Sequence, residues 1–436
     1  MSPINEIECL YDKDTLSFWG KRYPENIEWN FNNLILQRLT PDELAALHGV
    51  KLEFPLVAPG DVKSDPIVFY SYQHPPTVTL PIYSVKFLDD ISIAAAWLEC
   101  NGFSQETIFD YISFLKYANP VRLPGGRFPE PFKALSIPED VLDNKSVDDL
   151  SQKILKSSLV WILAHELGHI LYRHPSYAEM TIAESQATEK EADAFATEMF
   201  RRIGVVPAGM ALFFTVLIHW LLNRGDFSSD SSWEEYVKGG TTHPVSTERL
   251  KAISSEIKSN PDGFTGAEPN ADAAKEVALN IAMQIEQIAD KLLPSVQQLI
   301  RARALTVTLD ALQPRRLGEI DIYKVNQAVD LDETLPFNGI YHGLHTRKLE
   351  KGGTESLDCC LLLDRKGDTV SGRFNFGVGE GTIEGHIAGE ELYFDWQWGD
   401  ALGKGIFQQK SLKEFTGNWG HKDNKENGGT WIGTRY

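Results

Sequence analysis

Residues 159–172 read LVWILAHELGHILY and place an HExxH motif inside an uninterrupted apolar run. The apolar residues on both sides of the motif indicate a helix buried in a core. On a helix, His165 and His169 lie one turn apart on the same face, so both imidazoles can reach one tetrahedral zinc ion at about 2.0–2.1 Å. Glu166 lies beside them, near the position that a water molecule takes as fourth ligand. The motif therefore predicts two metal ligands and a general base.

The following segment supplies candidates for the third protein ligand that a catalytic zinc site requires. Residues 188–200 read TEKEADAFATEMF and favour a helix. Glu189 and Asp193 are four residues apart on one face, which favours Glu189 as the ligand and Asp193 as the group that holds a ligand histidine through its second ring nitrogen. Glu191 is the alternative ligand, and Glu184 is a more distant candidate.

A later segment, residues 242–249 with the sequence THPVSTER, offers groups that complete a catalytic site. The oxyanion formed during peptide hydrolysis needs a donor besides the metal, and each such donor contributes about 3–4 kcal/mol. We expect His243 to fill this catalytic role first, followed by Arg249, Tyr172 and His174. Otherwise His243 is a turn residue and Arg249 is one half of a structural ion pair.

These three segments resemble zinc peptidases of the gluzincin class, in which HExxH is followed by ExxxD. The HtpX and CAAX-prenyl-protease type has a similar pattern, with HELGH at 165–169, ExxAD at 189–193 and THPxxxxR at 242–249. The phrase EKEADAFA is also similar to the EAN-containing segment of soluble metallopeptidases that cleave bacterial repressors. The resemblance covers roughly residues 155–255, and the chain lacks the several membrane helices of the HtpX type. It implies a zinc peptidase with ligands His165, His169 and Glu189 and the base Glu166.

Composition and charge narrow the class of protein. The chain has 436 residues and a formal net charge of -19, which argues against a nucleic-acid partner because such binding neutralises phosphates with Lys and Arg. Its four cysteines lack a CxxC spacing and are expected to be reduced thiols. The N-terminal sequence MSPINEIECLYDKD has no basic region followed by an apolar one. We therefore expect a cytoplasmic protein.

The length predicts two or three domains, because single cores rarely exceed about 250–300 residues. Residues 1–145 form a predicted α/β region that contributes to the peptidase, with strands at 67–72 and 77–88 and a helical stretch at 91–98. Residues 146–325 are mainly helical and carry HExxH. The predicted fold class is α+β, with a helical zincin-type metallopeptidase domain and a separate β domain.

The last predicted domain spans residues 335–436 and is rich in glycine, aromatic residues and alternating apolar residues. Short strands joined by tight turns fit this pattern, as an antiparallel β-barrel or β-sandwich. Glycines recur at predicted strand starts, at positions 339, 372, 385, 405, 417 and 433. The aromatic residues either line a ligand pocket or pack a small core, and they include Trp396, Trp398, Trp419 and Trp431.

One apolar run approaches the length of a membrane span. Residues 205–222 read VVPAGMALFFTVLIHWLL. The run contains Pro207, Thr215 and His219 and directly follows the predicted catalytic segment. It is interpreted as a buried helix, with membrane contact as the alternative.

Two functions follow from these features. The first is a zinc-dependent endopeptidase that hydrolyses a cytosolic protein or peptide substrate and carries a C-terminal β domain for the target, a regulator or a ligand. Because this activity is toxic in the cytosol, we expect it to be regulated and used in stress response or phage defence. The second is a sensor or binding protein with an idle zinc site, in which the β domain binds the ligand.

Overall fold

The computed structural model describes most of the chain and resolves it into two compact units, Met1–Leu293 and Pro294–Tyr436. The described residues are 10–59, 66–118, 123, 127–176, 179–222, 226–227, 229, 231–232, 245–266, 268–292, 297, 300–301, 304, 307, 309–314, 334–348, 354–375, 380–398 and 401–435.

The first unit is mainly helical. Its helices are α1 (Lys13–Trp19), α2 (Tyr23–Asn30), α3 (Pro41–Ala46), α4 (Ile82–Cys100), α5 (Glu106–Tyr117), α6 (Pro131–Ala134), α7 (Lys145–Leu171), α8 (Ile182–Ile203), α9 (Met210–Trp220), α10 (Thr247–Ser259) and α11 (Ala271–Asp290). A π-helical turn at Phe31–Ile35 and 3-10 turns at Leu36–Arg38, Val141–Asp143 and Pro261–Phe264 join some of them.

Helix α7 is the central element of this unit. It begins at a cap in which the Asn144 side chain accepts a hydrogen bond from the amide of Ser146, and it packs against α4, α8 and α9. Every residue from Ser157 to Ile170 is buried, because neighbouring elements cover the helix on all sides. Among the described residues, only α7 is long and apolar enough to cross a membrane, and 89% of its apolar window is buried inside the protein. A buried core helix passes the same test of length and composition.

A small sheet lies against α7. Its strands are β1 (Lys51–Glu53), β2 (Tyr70–Gln73) and β3 (Pro76–Thr79), in the order β1-β3-β2. Strand β3 pairs in parallel with β1 and antiparallel with β2, so that β2 is an edge strand. The strand predicted at 67–72 thus begins later, at Tyr70, and the helical stretch predicted at 91–98 lies within α4.

The strand predicted at 77–88 is wrong beyond Thr79. The chain turns at Pro81 and enters α4, which is buried along almost its whole length. The alternation that favoured a strand arose from polar residues that are buried with partners instead of facing water. The Ser84 hydroxyl accepts a hydrogen bond from the amide of Val68, and the Lys86 ammonium pairs with a carboxylate one turn along the helix.

The apolar run at 205–222 contains helix α9, which has 11 residues. The amide of Gly209, at its start, donates a hydrogen bond of 2.7 Å to the Ser157 hydroxyl of α7. Most of α9 is buried, including Phe214 and Trp220. The run was interpreted as a buried helix, and membrane contact, the less favoured alternative, stays a hypothesis.

The second unit contains a closed antiparallel barrel of eight strands. They are β4 (Gly339–Lys348), β5 (Thr354–Lys366), β6 (Thr369–Asn375), β7 (Glu380–Ala388), β8 (Glu391–Trp398), β9 (Ala401–Gln409), β10 (Glu414–His421) and β11 (Gly429–Arg435). Each strand pairs with the next in sequence, and β11 pairs with β4 to close the barrel. This arrangement confirms the predicted α+β class with a C-terminal β-barrel.

Aromatic side chains fill the barrel interior. Its buried cluster includes Trp396, Trp419 and Trp431, and Trp398 packs against the cluster partly buried. Most of the predicted strand-start glycines lie inside strands instead, where backbone or side-chain atoms of neighbouring strands occupy the space of a Cβ. A Cβ at Gly405 would stand 2.1 Å from the ring of Phe394. Packing of the barrel interior therefore accounts for the burial of Trp396, Trp419 and Trp431, and the alternative of a ligand-binding barrel is not favoured.

Candidate metal centre

The crossing of α7 and α8 brings the predicted metal ligands together. Helix α8 begins with a capping box, in which Thr181 Oγ1 accepts from the amide of Glu184 and Glu184 Oε2 accepts from the amide of Thr181. Gly168 of the HELGH sequence lies against Ala192 of the EKEAD sequence, so the two helices cross closely. The capping box engages Glu184 at an exposed position and leaves later α8 residues to face α7.

His165, His169 and Glu189 form a buried group whose ligand atoms all lie within 4.8 Å of one another. The two Nε2 atoms are 3.1 Å apart. Glu189 Oε2 lies 3.5 Å from His165 Nε2, and Glu189 Oε1 lies 3.3 Å from His169 Nε2. Tetrahedral zinc with bonds of about 2.0–2.1 Å separates its ligand atoms by about 3.3–3.4 Å. Among the described residues this is the one group of three or more such side chains that can hold a metal ion, and its spacing fits zinc.

Asp193 and Arg249 contact two members of this group, His165 and Glu189. His165 Nδ1 lies 3.0 Å from Asp193 Oδ1, and carboxylates in this position commonly fix the tautomer of a ligand histidine. Arg249 donates through Nε and Nη2 to the two oxygens of Asp193, at 2.7 and 2.8 Å, and its Nη1 lies 2.7 Å from Glu189 Oε2. The guanidinium therefore orients one ligand and the partner of another, all of them buried.

The electrostatics of the group favour a cation. Burial alone would lower the pKa of His165, but hydrogen bonds and charges from Asp193 and Glu189 raise it to about 10. Burial lowers the pKa of His169. Burial acts to raise the pKa of Asp193, but the charge of Arg249 and the hydrogen bonds that Asp193 accepts hold it below its usual value. When both histidines are neutral, as metal ligation requires, two carboxylates against one guanidinium give a formal charge of -1, which a bound metal cation would offset.

Glu166 is buried beside the ligands and is held by the small sheet. Its Oε2 accepts a hydrogen bond of 2.8 Å from the hydroxyl of Ser71, on edge strand β2. On the same strand, the Gln73 amide donates to the carbonyl oxygen of His169 at 2.8 Å. The sequence analysis missed both residues, since they lie more than ninety positions before their partners. The sequence signal nearest to them was the strand pattern at 67–72, which did not indicate that the strand packs against α7.

The remaining site candidates do not belong to the three-ligand group. Glu191 projects to an exposed position, where its Oε2 lies 3.0 Å from Nε2 of His174. His174 in turn contacts His169. Tyr172 is about half exposed at the end of α7. His243 lies outside the described residues, so its predicted catalytic role stays a prediction.

An apolar cavity of about 70 Å³ opens beside Glu166. Its polar border is formed by His165, Glu166 and Arg249. Its apolar walls come from the stretch before β2, from α7 and from α9, and include Ile67, Phe69, Trp161, Phe213, Phe214 and Leu217. The cavity can therefore take an apolar group within reach of the candidate base.

Comparison with known proteins found one matching family model, that of a peptidase family. The model of the peptidase U49 family matches residues 126–267, a span that contains HExxH, the α8 acids and Arg249. The match indicates a peptidase family and supports a hydrolase that cleaves peptide bonds. No curated protein and no solved structure matches the chain.

Proposed function

We propose that the chain is a zinc-dependent endopeptidase in which His165, His169 and Glu189 hold the metal. The observation that carries the proposal is the close approach of their ligand atoms. The two Nε2 atoms are 3.1 Å apart, and each lies 3.3–3.5 Å from a different oxygen of Glu189, which suits one tetrahedral ion of zinc size. Three protein ligands leave a fourth position for water, as catalytic zinc sites require. The family match to a peptidase supports the same chemistry.

Glu166 is the proposed general base. A zinc ion held by these ligands would act as a Lewis acid, lowering the pKa of a water molecule towards about 7 and polarising the substrate carbonyl. Glu166 takes the proton of the attacking water and passes it to the leaving amine, so one carboxylate serves as base and then as acid. The hydrogen bond from Ser71 holds that carboxylate in a fixed orientation.

Arg249 is proposed to act through Glu189 and Asp193, because its Nε, Nη1 and Nη2 atoms all contact these two acids. A direct catalytic contact with the oxyanion falls to His243 in this proposal, as the sequence predicts. The apolar cavity beside Glu166 is proposed to receive an apolar side chain next to the cleaved bond, which favours protein segments with exposed apolar residues. The proposed setting is the cytoplasm, with regulation in stress response or phage defence.

Zinc stoichiometry and cleavage of an unfolded protein test the proposal. We expect one zinc per chain in the purified protein and cleavage that is lost in Glu166→Gln, which should keep its zinc. Glu189→Ala should lose zinc, whereas Gln186→Ala, an exposed change on the same helix, should not. Bound zinc with equal cleavage by the wild type and Glu166→Gln would refute the proposed endopeptidase function. Absence of zinc from the wild type would refute the proposed zinc site.

A further inference from the structure

A second histidine contacts the ligand His169 on the side away from the metal group. His174 Nδ1 lies 2.8 Å from Nδ1 of His169, and the two rings are nearly perpendicular, with an interplanar angle of 75°. On the far side of its ring, His174 Nε2 lies 3.0 Å from Oε2 of Glu191. His174 is buried, whereas the side chain of Glu191 is 64% exposed. The three side chains form a chain of contacts from the metal group to the protein surface.

The turn after α7 is built to bring His174 back over His169. Arg173 adopts a left-handed backbone with φ of 55°, which is uncommon for a residue with a side chain. This turn lets the amide of His174 donate to the carbonyl oxygen of His169 at 3.0 Å. Gln73 donates to the same carbonyl, so the turn is held from two sides.

The contacts among His169, His174 and Glu191 determine which ring nitrogen of each histidine carries a proton when His169 binds a metal. A ligand histidine binds metal through an unprotonated nitrogen, so His169 must carry its proton on Nδ1 and donate it to Nδ1 of His174. Since that nitrogen of His174 accepts, the neutral ring carries its own proton on Nε2. Nε2 then donates to the carboxylate of Glu191, which only accepts. One arrangement of protons satisfies all three groups, and it leaves Nε2 of His169 ready for the metal.

We propose that His174 and Glu191 are positioning residues that hold His169 in its metal-binding tautomer and orientation. This inference rests on the proposed zinc site. It gives each ligand histidine its own support, since His165 contacts the buried Asp193 whereas His169 is supported through a second histidine and an exposed glutamate. It also assigns Glu191 a role other than that of third ligand.

Zinc affinity of the full chain, measured by competition with a chelator, tests the inference. Changes to groups that support a ligand histidine typically weaken metal binding by 10–100-fold, and we expect this for His174→Leu. His174→Asn should recover part of the affinity, because its side-chain oxygen can still accept from His169. Glu191→Gln should change affinity little, since its amide oxygen still accepts, whereas Glu191→Lys should weaken binding because an ammonium cannot accept. Glu179→Lys makes the same charge change at another exposed position and should leave the affinity unchanged.

The absorption spectrum of the cobalt-substituted protein and the melting temperature of the metal-free protein complete the test. We expect His174→Leu to alter the cobalt spectrum, which reports ligand orientation, and to leave the melting temperature within about 3 °C of the wild type. Equal zinc affinity of His174→Leu and a wild type that binds zinc would overturn this inference and leave the proposed function standing. A wild type without zinc affinity would overturn both. Lower affinity that follows a lower melting temperature, with no recovery in His174→Asn, would also overturn the inference.

Discussion

Gly168 and Ala192 lie in direct contact where α7 crosses α8, so that a Cβ at Gly168 would stand 3.0 Å from Cα of Ala192 and 3.4 Å from its Cβ. Ala192 is fully buried. The contact sits between the HExxH histidines on one helix and Glu189 on the other, and it sets the distance between them. The small residues of the two motifs thus set the spacing of the candidate ligands without belonging to the ligand group.

Gly168→Val should weaken zinc binding and stability together. The added side chain must push α8 away, and overpacking of this kind typically costs about 1–3 kcal/mol. Because Glu189 moves with α8, we also expect zinc affinity to fall at least tenfold, measured by chelator competition. Gln152→Ala, an exposed change on α7, should alter neither quantity. Unchanged zinc affinity in Gly168→Val would show that the crossing distance does not control the site.

Arg249→Met should destabilise the metal-free protein more than the zinc-bound protein. The change leaves the carboxylates of Asp193 and Glu189 buried without their guanidinium, and breaking such a buried pair typically costs about 3–5 kcal/mol. A bound cation offsets part of that charge, so saturating zinc should recover part of the stability in thermal denaturation.

Arg202→Met is the matched control for Arg249. Arg202 pairs with Glu43 and Glu198 in a partly exposed position, where ion pairs contribute about 0–1 kcal/mol. Its loss should be small and independent of zinc. Equal destabilisation of Arg249→Met with and without zinc would contradict the proposed link between the guanidinium and the metal.

Ser71→Ala should slow catalysis and leave zinc binding intact. The variant removes the hydroxyl that holds Glu166, and one such hydrogen bond to a charged group is worth about 1.5–3 kcal/mol. This corresponds to a fall in kcat of about 10–100-fold, measured as steady-state cleavage of an unfolded protein. Ser71→Thr keeps the hydroxyl and should retain most of the activity. A loss of zinc in Ser71→Ala would argue for a general distortion of α7 instead.

His345→Phe should remove part of the acid sensitivity of the folded chain. Burial in the barrel lowers the pKa of His345 from 6.5 to about 4, and its ring stacks on Trp419 with centroids 4.5 Å apart. In the unfolded chain the imidazole of His345 binds a proton near pH 6.5, whereas in the folded chain it binds one only near pH 4. The stability contributed by this depressed pKa is therefore present above pH 6.5 and lost as the pH falls towards 4.

Denaturant unfolding of the full chain at pH 7 and pH 5 measures this effect. The difference in stability between the two pH values should be smaller in His345→Phe than in the wild type. His386→Phe changes an exposed histidine of β7 and should keep the wild-type difference. An unchanged difference in His345→Phe would contradict the assignment.

The sequence predicted the parts of the site that depend on local periodicity. The spacing of His165 and His169, and that of Glu189 and Asp193, follows from the helical repeat, so the positions on each helix face could be derived before the structure. The contact between His165 and Asp193 follows once two such helices cross. The barrel could also be predicted from the sequence, since alternating apolar and polar residues and frequent turns favour short antiparallel strands.

The remaining parts depend on contacts that no local pattern encodes. Ser71 and Glu166 are 95 residues apart, and their meeting is decided by how the small sheet packs on α7. His174 reaches His169 only because Arg173 adopts a left-handed turn. The first part of helix α4, from Ile82 to Leu88, was mistaken for a strand because burial on all sides removes the helical period from its sequence. In each case tertiary packing outweighed the local signal.

The closure of the C-terminal barrel bears on how readily a peptidase could cut this unit. Peptide hydrolysis requires an extended segment whose backbone has left its hydrogen bonds, and such segments arise by local opening. All eight strands pair on both sides, so that no strand end of the sheet can peel away without breaking a ladder. The closed barrel therefore offers few backbone segments that a peptidase could cut while the sheet stays paired.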